Sequence, residues 1–226
     1  IGLTEAEATG ALLCLDVTEA VLDEAIALGY NLVISHHPLI FKGYKSITGK
    51  DYVERCILKA IKNDIVIYSA HTNLDNAYGG VNYKIAEKIG LKNLQVLEPK
   101  ENSLQDDLTQ VGAGIVGELD EPETELEFLK RIKKTFEVGC VRHNRLTGRE
   151  IQKVALCGGA GAFLLPQAIR AGADVFITGE IKYHDYFGHE GDILMAEIGH
   201  YESEQYTKEI FYSIIRDLFP NFALQS

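Results

Sequence analysis

Short apolar runs alternate with amphipathic stretches along the first hundred residues of the chain. The apolar runs at 11–17, 32–37 and 65–71 predict buried strands, and the stretches at 18–29, 51–63 and 80–90 predict helices. Thr18 is a suitable N-cap for the first helix, and Gly29 is a suitable residue to end it. This βαβαβα order is typical of a parallel sheet with helices on its faces.

The second half of the chain repeats this alternation after a polar segment at 99–110. Strands are predicted at 112–119, 153–159, 174–180 and 192–199, and helices at 122–136, 162–172 and 203–219, with Pro122 near the first turn. We therefore expect an α/β fold in three layers, built as two similar α/β lobes or as one mixed sheet flanked by helices. The expected division is an N-terminal half at 1–98, a junction at 99–110 and a C-terminal half at 111–226.

The charge and cysteine content narrow the class of protein. Lys and Arg total 22 against 33 Asp and Glu, giving a net charge of −11. This charge argues against a nucleic-acid partner, because binding nucleic acid requires a basic face. The four cysteines are far apart, without a CxxC pair, which favours a reduced, cytoplasmic protein. No apolar run approaches the roughly 20 residues of a membrane span, so no membrane partner is expected.

The histidines are concentrated at the ends of predicted strands. Five of the seven lie at or just past the carboxyl end of a strand: His36, His37, His71, His184 and His200. In open α/β sheets, ligands bind at this edge. Carboxylates occur in the same places, at Asp75, Glu180, Asp185 and Glu204.

Each of these residues also has a purely structural interpretation. The His36-His37 pair fits an ordinary turn, which Pro38 favours by restricting the residue before it. Asp75 fits a turn or helix cap. His200 and Glu204 are four residues apart, so they share a helix face and fit a solvated surface pair.

The combination points more strongly to a metal site than any one member does. Three imidazoles with two carboxylates suit Zn, Mn, Fe or Co better than Mg or Ca. Five ligands fit two divalent ions that share a carboxylate or a water, and such a pair generates hydroxide for hydrolysis near neutral pH. The set consists of His36, His37, Asp75, His200 and Glu204.

A glycine-rich segment at 157–162, CGGAGA, lies between a predicted strand and a predicted helix. Its backbone N–H groups are placed to contact a phosphate or another part of a substrate. It lacks the GxxxxGK[ST] pattern, and a tight turn is the alternative interpretation.

Four motifs in order connect the chain to a known family: SHHPLIF (35–41), HTNLD (71–75), TGEIKYHD (178–185) and GHYESE (199–204). Together they resemble the GTP cyclohydrolase I type 2-like family, also called the Ngg-interacting-factor-like proteins. The resemblance implies a Nif-like α/β fold, a dinuclear metal site and a toroidal homohexamer. It also implies the metal ligands, which fall on His36, His37, Asp75, His200 and Glu204.

The chain departs from the family pattern in two places. Members usually begin with a helix and a WDNVGL-like segment before the first strand, and longer members carry an inserted domain between the halves. We expect that an N-terminal segment and the inserted domain are missing from this sequence.

The resulting expectation is a cytoplasmic, dinuclear metal-dependent hydrolase, with zinc as the leading metal, whose activated water attacks a nucleotide-like small molecule. His71 and His184 are the candidates for catalytic proton transfer or for orienting other groups. Two alternatives remain open. One is a phosphoesterase acting on nucleotides or phosphorylated metabolites, and the other is a non-enzymatic, metal-binding regulatory or interaction protein.

Overall fold

The computed structural model describes residues 1–100 and 111–226. The strands are β1 Ala11–Cys14, β2 Leu32–Ser35, β3 Val66–Ser69, β4 Lys92–Pro99, β5 Gly112–Thr124, β6 Arg142–His143, β7 Glu150–Cys157, β8 Val175–Thr178, β9 Leu194–Glu197 and β10 Leu224–Gln225. The helices are α1 Glu19–Leu28, α2 Tyr52–Lys62, α3 Thr72–Asp75, α4 Val81–Ile89, α5 Glu125–Thr135, α6 Leu165–Arg170, α7 His200–Glu204 and α8 Thr207–Leu218. Short 3₁₀ helices occur at Gly161–Leu164 and Tyr183–Tyr186.

These elements form two compact units. The first consists of Ile1–Asn73 with Thr207–Ser226, and the second of Leu74–Tyr206. The junction expected at 99–110 lies almost entirely outside the described residues, so a division of the chain at that point stays a prediction.

The first unit contains a four-stranded parallel sheet in the order β10-β1-β2-β3. Its capping follows the sequence signals: Thr18 accepts a hydrogen bond from the Val21 N–H, and Gly29 ends α1 in the left-handed region at φ 70°. Buried residues of α1 and α2 pack in one core with alternate residues of the strands. The parallel order predicted for this part of the chain is confirmed.

The second unit contains a six-stranded mixed sheet in the order β4-β5-β7-β8-β9-β6. Strands β7, β8 and β9 are parallel, whereas β4, β5 and β6 pair antiparallel with their neighbours. Every residue of β8 and β9 is buried. The two sheets with their flanking helices confirm the predicted α/β class.

Three details differ from the sequence-based expectation. Strands β4, β6 and β10 were not predicted. Pro122 does not start a helix, because β5 continues to Thr124, and Thr124 with Glu127 forms the capping box that starts α5. The predicted helix at 203–219 is divided into α7 and α8. Within the described ranges, no helix is long and apolar enough to cross a bilayer.

Candidate metal centre

Three imidazoles gather at one edge of the first unit's sheet. His36 and His37 follow β2, and His71 follows β3, the neighbouring parallel strand paired through Ser35 and Ser69. Each ring offers a nitrogen that lies within 4.8 Å of the other two. Parallel strands end at the same edge, and the local structure therefore explains why the three rings meet.

Hydrogen bonds bend the chain just after β2. The His36 and His37 N–H groups donate to the carbonyls of Cys14 (3.2 Å) and Leu15 (2.9 Å). The Ser35 hydroxyl donates to the His37 carbonyl at 2.8 Å. As a result, neighbouring side chains that an extended strand would send to opposite faces lie with ring centroids 4.9 Å apart.

The two adjacent imidazoles are held in one orientation through Nδ1. His36 is fully buried, and its Nδ1 lies 2.9 Å from the Ala70 carbonyl oxygen. A carbonyl only accepts, so Nδ1 carries the proton and Nε2 presents the lone pair. His37 Nδ1 lies 2.9 Å from Asp16 Oδ1, which fixes the same tautomer in the neutral ring. Metal-binding histidines are typically held in this way.

His71 belongs to the same group of rings. Its centroid lies 5.4 Å from that of His36 and 5.5 Å from that of His37. Its Nδ1 lies 3.4 Å from the Thr72 hydroxyl, and the Phe41 ring packs edge-on against it at 5.7 Å. The structure thus brings His71 to the two histidines of the SHHP motif, while its catalytic role stays a prediction.

The second unit contributes a histidine–carboxylate pair on α7. His200 Nε2 lies 3.2 Å from Glu204 Oε2, and its Nδ1 lies 2.7 Å from Glu180 Oε1. The bond to Glu204, with a smaller contribution from Glu180, raises the pKa of His200 to about 9. Glu204 is only 4% exposed, so the pair predicted from the four-residue spacing is not a solvated surface contact.

The glycine-rich segment packs directly against this pair. Gly159 has φ +59°, and its N–H donates to the Ser203 hydroxyl at 3.0 Å, which in turn donates to the His200 carbonyl at 2.8 Å. A Cβ on Gly159 would overlap Glu204 Oε1. The segment is a tight turn that supports the pair, and its contact with a phosphate or substrate stays a prediction.

Asp75 ends α3 in the second unit and is half-buried. The buried Asn82 side chain donates to the Asp75 carbonyl at 2.9 Å and accepts from the Gly158 N–H at 2.9 Å. One amide therefore connects the backbone of Asp75 to the glycine turn beside Glu204.

His184 is exposed in the 3₁₀ helix at Tyr183–Tyr186. Its ring contacts those of Tyr183, at 5.1 Å, and Phe187, at 6.3 Å. In the part of the chain that the structure describes, no group of three potential metal ligands includes His184. Its role in proton transfer stays a prediction.

Four supporting residues were not singled out from the sequence: Asp16, Asn82, Ser203 and, as the partner of His200, Glu180. Asp16 had a usable signal, because it is a carboxylate directly after the buried core of the first apolar run. Asn82 and Ser203 had none, because each acts through contacts distant in sequence.

The chemistry of these groups suits a divalent transition metal. In the first unit the donors are three imidazoles, and in the second they are one imidazole and nearby carboxylates. Nitrogen donors with a minority of carboxylates favour Zn and its neighbours over Mg and Ca. These groups could therefore hold a metal ion.

Comparisons with known proteins agree with the four motifs. A family model described as Duf34/NIF3 (NGG1p interacting factor 3) matches residues 1–225. A GTP cyclohydrolase 1 type 2 homolog of Lactococcus lactis is 34% identical, covering 98% of this chain and 82% of that protein. The homolog of the same name in Clostridium perfringens is 36% identical, covering 90% and 76%.

Solved structures agree as well. A hypothetical protein of Staphylococcus aureus superposes with a TM-score of 0.90 at 32% identity, covering 100% of this chain and 86% of that one. A Bacillus cereus protein related to NIF3 gives a TM-score of 0.87 at 26% identity, covering 99% and 88%. The motifs and these similarities lead to one conclusion: the chain belongs to the Duf34/NIF3 (NGG1p interacting factor 3) family.

Proposed function

We propose that this protein is a dinuclear metal-dependent hydrolase that acts on a nucleotide-like substrate. The observation that carries the proposal is the group formed by His36, His37 and His71, whose nitrogens lie within 4.8 Å of one another. It puts two proposed metal ligands, His36 and His37, beside the proposed proton-transfer residue, His71. Family membership supports the nucleotide-like substrate, because relatives in this family bear the name GTP cyclohydrolase 1 type 2 homolog.

The proposed ligands are His36, His37, Asp75, His200 and Glu204. The local geometry of the histidines fits this role, because Nδ1 of each lies 2.7–2.9 Å from an oxygen. With Nδ1 so engaged, Nε2 of each neutral ring is the nitrogen that faces a metal. The buried Glu204 carboxylate, now beside His200 Nε2, supplies the negative charge that a cation needs.

Bound divalent ions would lower the pKa of water and so supply hydroxide near neutral pH. The chain's own residues have distinct tasks in this reaction. The Ala70 carbonyl, Asp16 and Glu180 orient the ligating imidazoles through Nδ1. His71, beside the SHHP histidines, is the proposed proton-transfer residue, and His184 is a second candidate.

Three further properties belong to the same proposal. Zinc is the proposed metal, because imidazole and carboxylate donors suit it. A cytoplasmic location is proposed from the unpaired cysteines, all four of which are free thiols. A homohexamer is proposed from the family resemblance, and light scattering of the purified protein tests it.

Metal analysis with an activity screen tests the proposal. Purified wild type, His36→Ala, His200→Ala and the control His189→Ala, at a half-buried histidine outside the ligand set, are dialysed, and their metal content is measured by mass spectrometry. We expect about two ions per chain in wild type and His189→Ala, and a clear loss in the other two. Full metal content in both His36→Ala and His200→Ala would refute the ligand assignment.

The activity screen uses the metal-loaded protein with purine nucleotides, and Asp75→Asn is the inactive control. Formate release or ring opening supports a cyclohydrolase-type reaction. Phosphate release instead supports the phosphoesterase alternative. No turnover of any nucleotide by fully loaded protein would overturn the hydrolase and favour a non-enzymatic, metal-binding regulatory protein.

A further inference from the structure

A basic segment follows the SHHP histidines in this acidic protein. Residues 41–50, FKGYKSITGK, contain three lysines and no carboxylate, although the whole chain carries a net charge of −11. The segment lies in the first unit, between β2 and α2. A local positive surface in a chain of opposite net charge attracts anions to that place.

Residues of this segment line an open cavity of about 570 Å³. Such a volume lies within the range of small-molecule sites, roughly 300–1,000 Å³. Apolar, aromatic and basic residues line it together, among them Leu39, Phe41, Lys42, Tyr44, Lys45 and Lys50.

The aromatic and basic side chains at the cavity are exposed. Phe41 is 68% exposed and Tyr44 is 36% exposed, so both rings are accessible to a ligand. Lys42 and Lys45 form no ion pair with any carboxylate among residues 1–100 and 111–226. Accessible rings beside unpaired ammonium groups suit a ligand with a planar ring and a negative charge.

A buried carboxylate holds this segment in place. Glu54 accepts hydrogen bonds from the Thr48 N–H (2.8 Å), the Thr48 hydroxyl (3.1 Å) and the Lys50 N–H (3.1 Å). Its side chain is fully buried, and Lys50 Nζ lies 3.3 Å from its second oxygen. One end of the lysine segment is thus fixed before any ligand arrives, which reduces the entropy cost of binding.

The cavity borders the imidazole group. Leu39, at the cavity wall, is two residues from His37, and the Phe41 ring packs against His71. A ligand in the cavity would therefore lie close to the three histidines.

We propose that this cavity binds a phosphorylated planar heteroaromatic compound, a class that includes nucleotides. Lys42 and Lys45 bind the phosphate, and Phe41 and Tyr44 contact the ring. The inference rests on the proposed function in one respect, namely that the bound compound is the substrate.

Calorimetric titration of the full chain, as purified with its metal content measured, tests the inference. The probes are guanosine 5′-monophosphate, guanosine and inorganic phosphate. We expect the mononucleotide to bind most tightly, and Lys42→Gln/Lys45→Gln to weaken its binding about tenfold or more. Phe41→Leu should weaken binding of the mononucleotide and leave inorganic phosphate unchanged.

The matched control, Lys62→Gln/Lys133→Gln, removes the same charge at exposed helix positions outside the cavity. Equal affinity for the mononucleotide in both double variants would overturn the inference, and equal affinity for phosphate and mononucleotide would overturn its aromatic part. If mononucleotide binding depends on the two lysines while the metal content is unchanged in His36→Ala and His200→Ala, the cavity proposal is supported and the metal proposal is refuted. If instead the metal content falls in those two variants and mononucleotide binding does not depend on the lysines, the metal proposal is supported and the cavity proposal is refuted.

Discussion

Replacing Gly159 with alanine is the most direct test of how the glycine turn supports the candidate metal centre. Gly159 has φ +59°, and an added Cβ would overlap Glu204 Oε1 and lie 3.3 Å from His200 Nε2. Because Glu204 is only 4% exposed, its carboxylate cannot move into solvent to make room. We therefore expect Gly159→Ala to displace a proposed ligand as well as to strain the backbone.

The magnitude separates into two contributions. The left-handed conformation costs alanine about 1–2 kcal/mol of unfolding free energy, or roughly 2–8 °C in Tm for a chain of this size. Gly172 supplies the matched control, because it has φ +69° and nothing within 4 Å of an added Cβ. Both variants should show this loss of stability. Only Gly159→Ala should lose more, because its Cβ also overlaps Glu204 Oε1.

The assay combines thermal unfolding by circular dichroism with metal content after dialysis. We expect Gly172→Ala to keep its metal and Gly159→Ala to bind metal at least about tenfold more weakly, which corresponds to about 1.4 kcal/mol. If Gly159→Ala keeps all its metal and has the same Tm as Gly172→Ala, the turn does not support Glu204.

The remaining predictions concern stability. The hydrogen bonds from Thr48 and Lys50 lower the pKa of Glu54 to about 2, from an ordinary 4.5. Glu54→Gln should therefore destabilise the protein above pH 4.5, and the difference in unfolding free energy from wild type should shrink as the pH falls toward 2. Urea titrations across this range would contradict that linkage if the difference stayed constant. Asn82→Ala removes the buried amide that bonds both the Asp75 carbonyl and the Gly158 N–H, and should cost about 1–3 kcal/mol in urea unfolding. A loss under about 0.5 kcal/mol would count against this bridge. Thr124→Ala should cost about 1 kcal/mol through the lost cap of α5, whereas Thr124→Ser should remain near wild type.

Much of the fold was readable because its signals are local. Apolar runs, Thr18 and Gly29 placed β1 and α1 within a few residues, since caps and periodicity act over one or two turns. Strands β4 and β10 were not predicted, because few of their residues are apolar and the strands form through pairing with β5 and β1. The helix start predicted near Pro122 was wrong, because a proline also fits a strand of irregular register.

The sequence by itself determined the α/β class, the family and the position of histidines at strand ends, because each of these is written in short motifs or in periodicity. Only the tertiary structure decided that His71 joins His36 and His37, since β2 and β3 must pair in register for their ends to meet. It also decided that Asp16 and Glu180 orient imidazoles, each about twenty residues away along the chain. Hydrogen bonds between such distant residues depend on the folded path, which local sequence patterns do not encode.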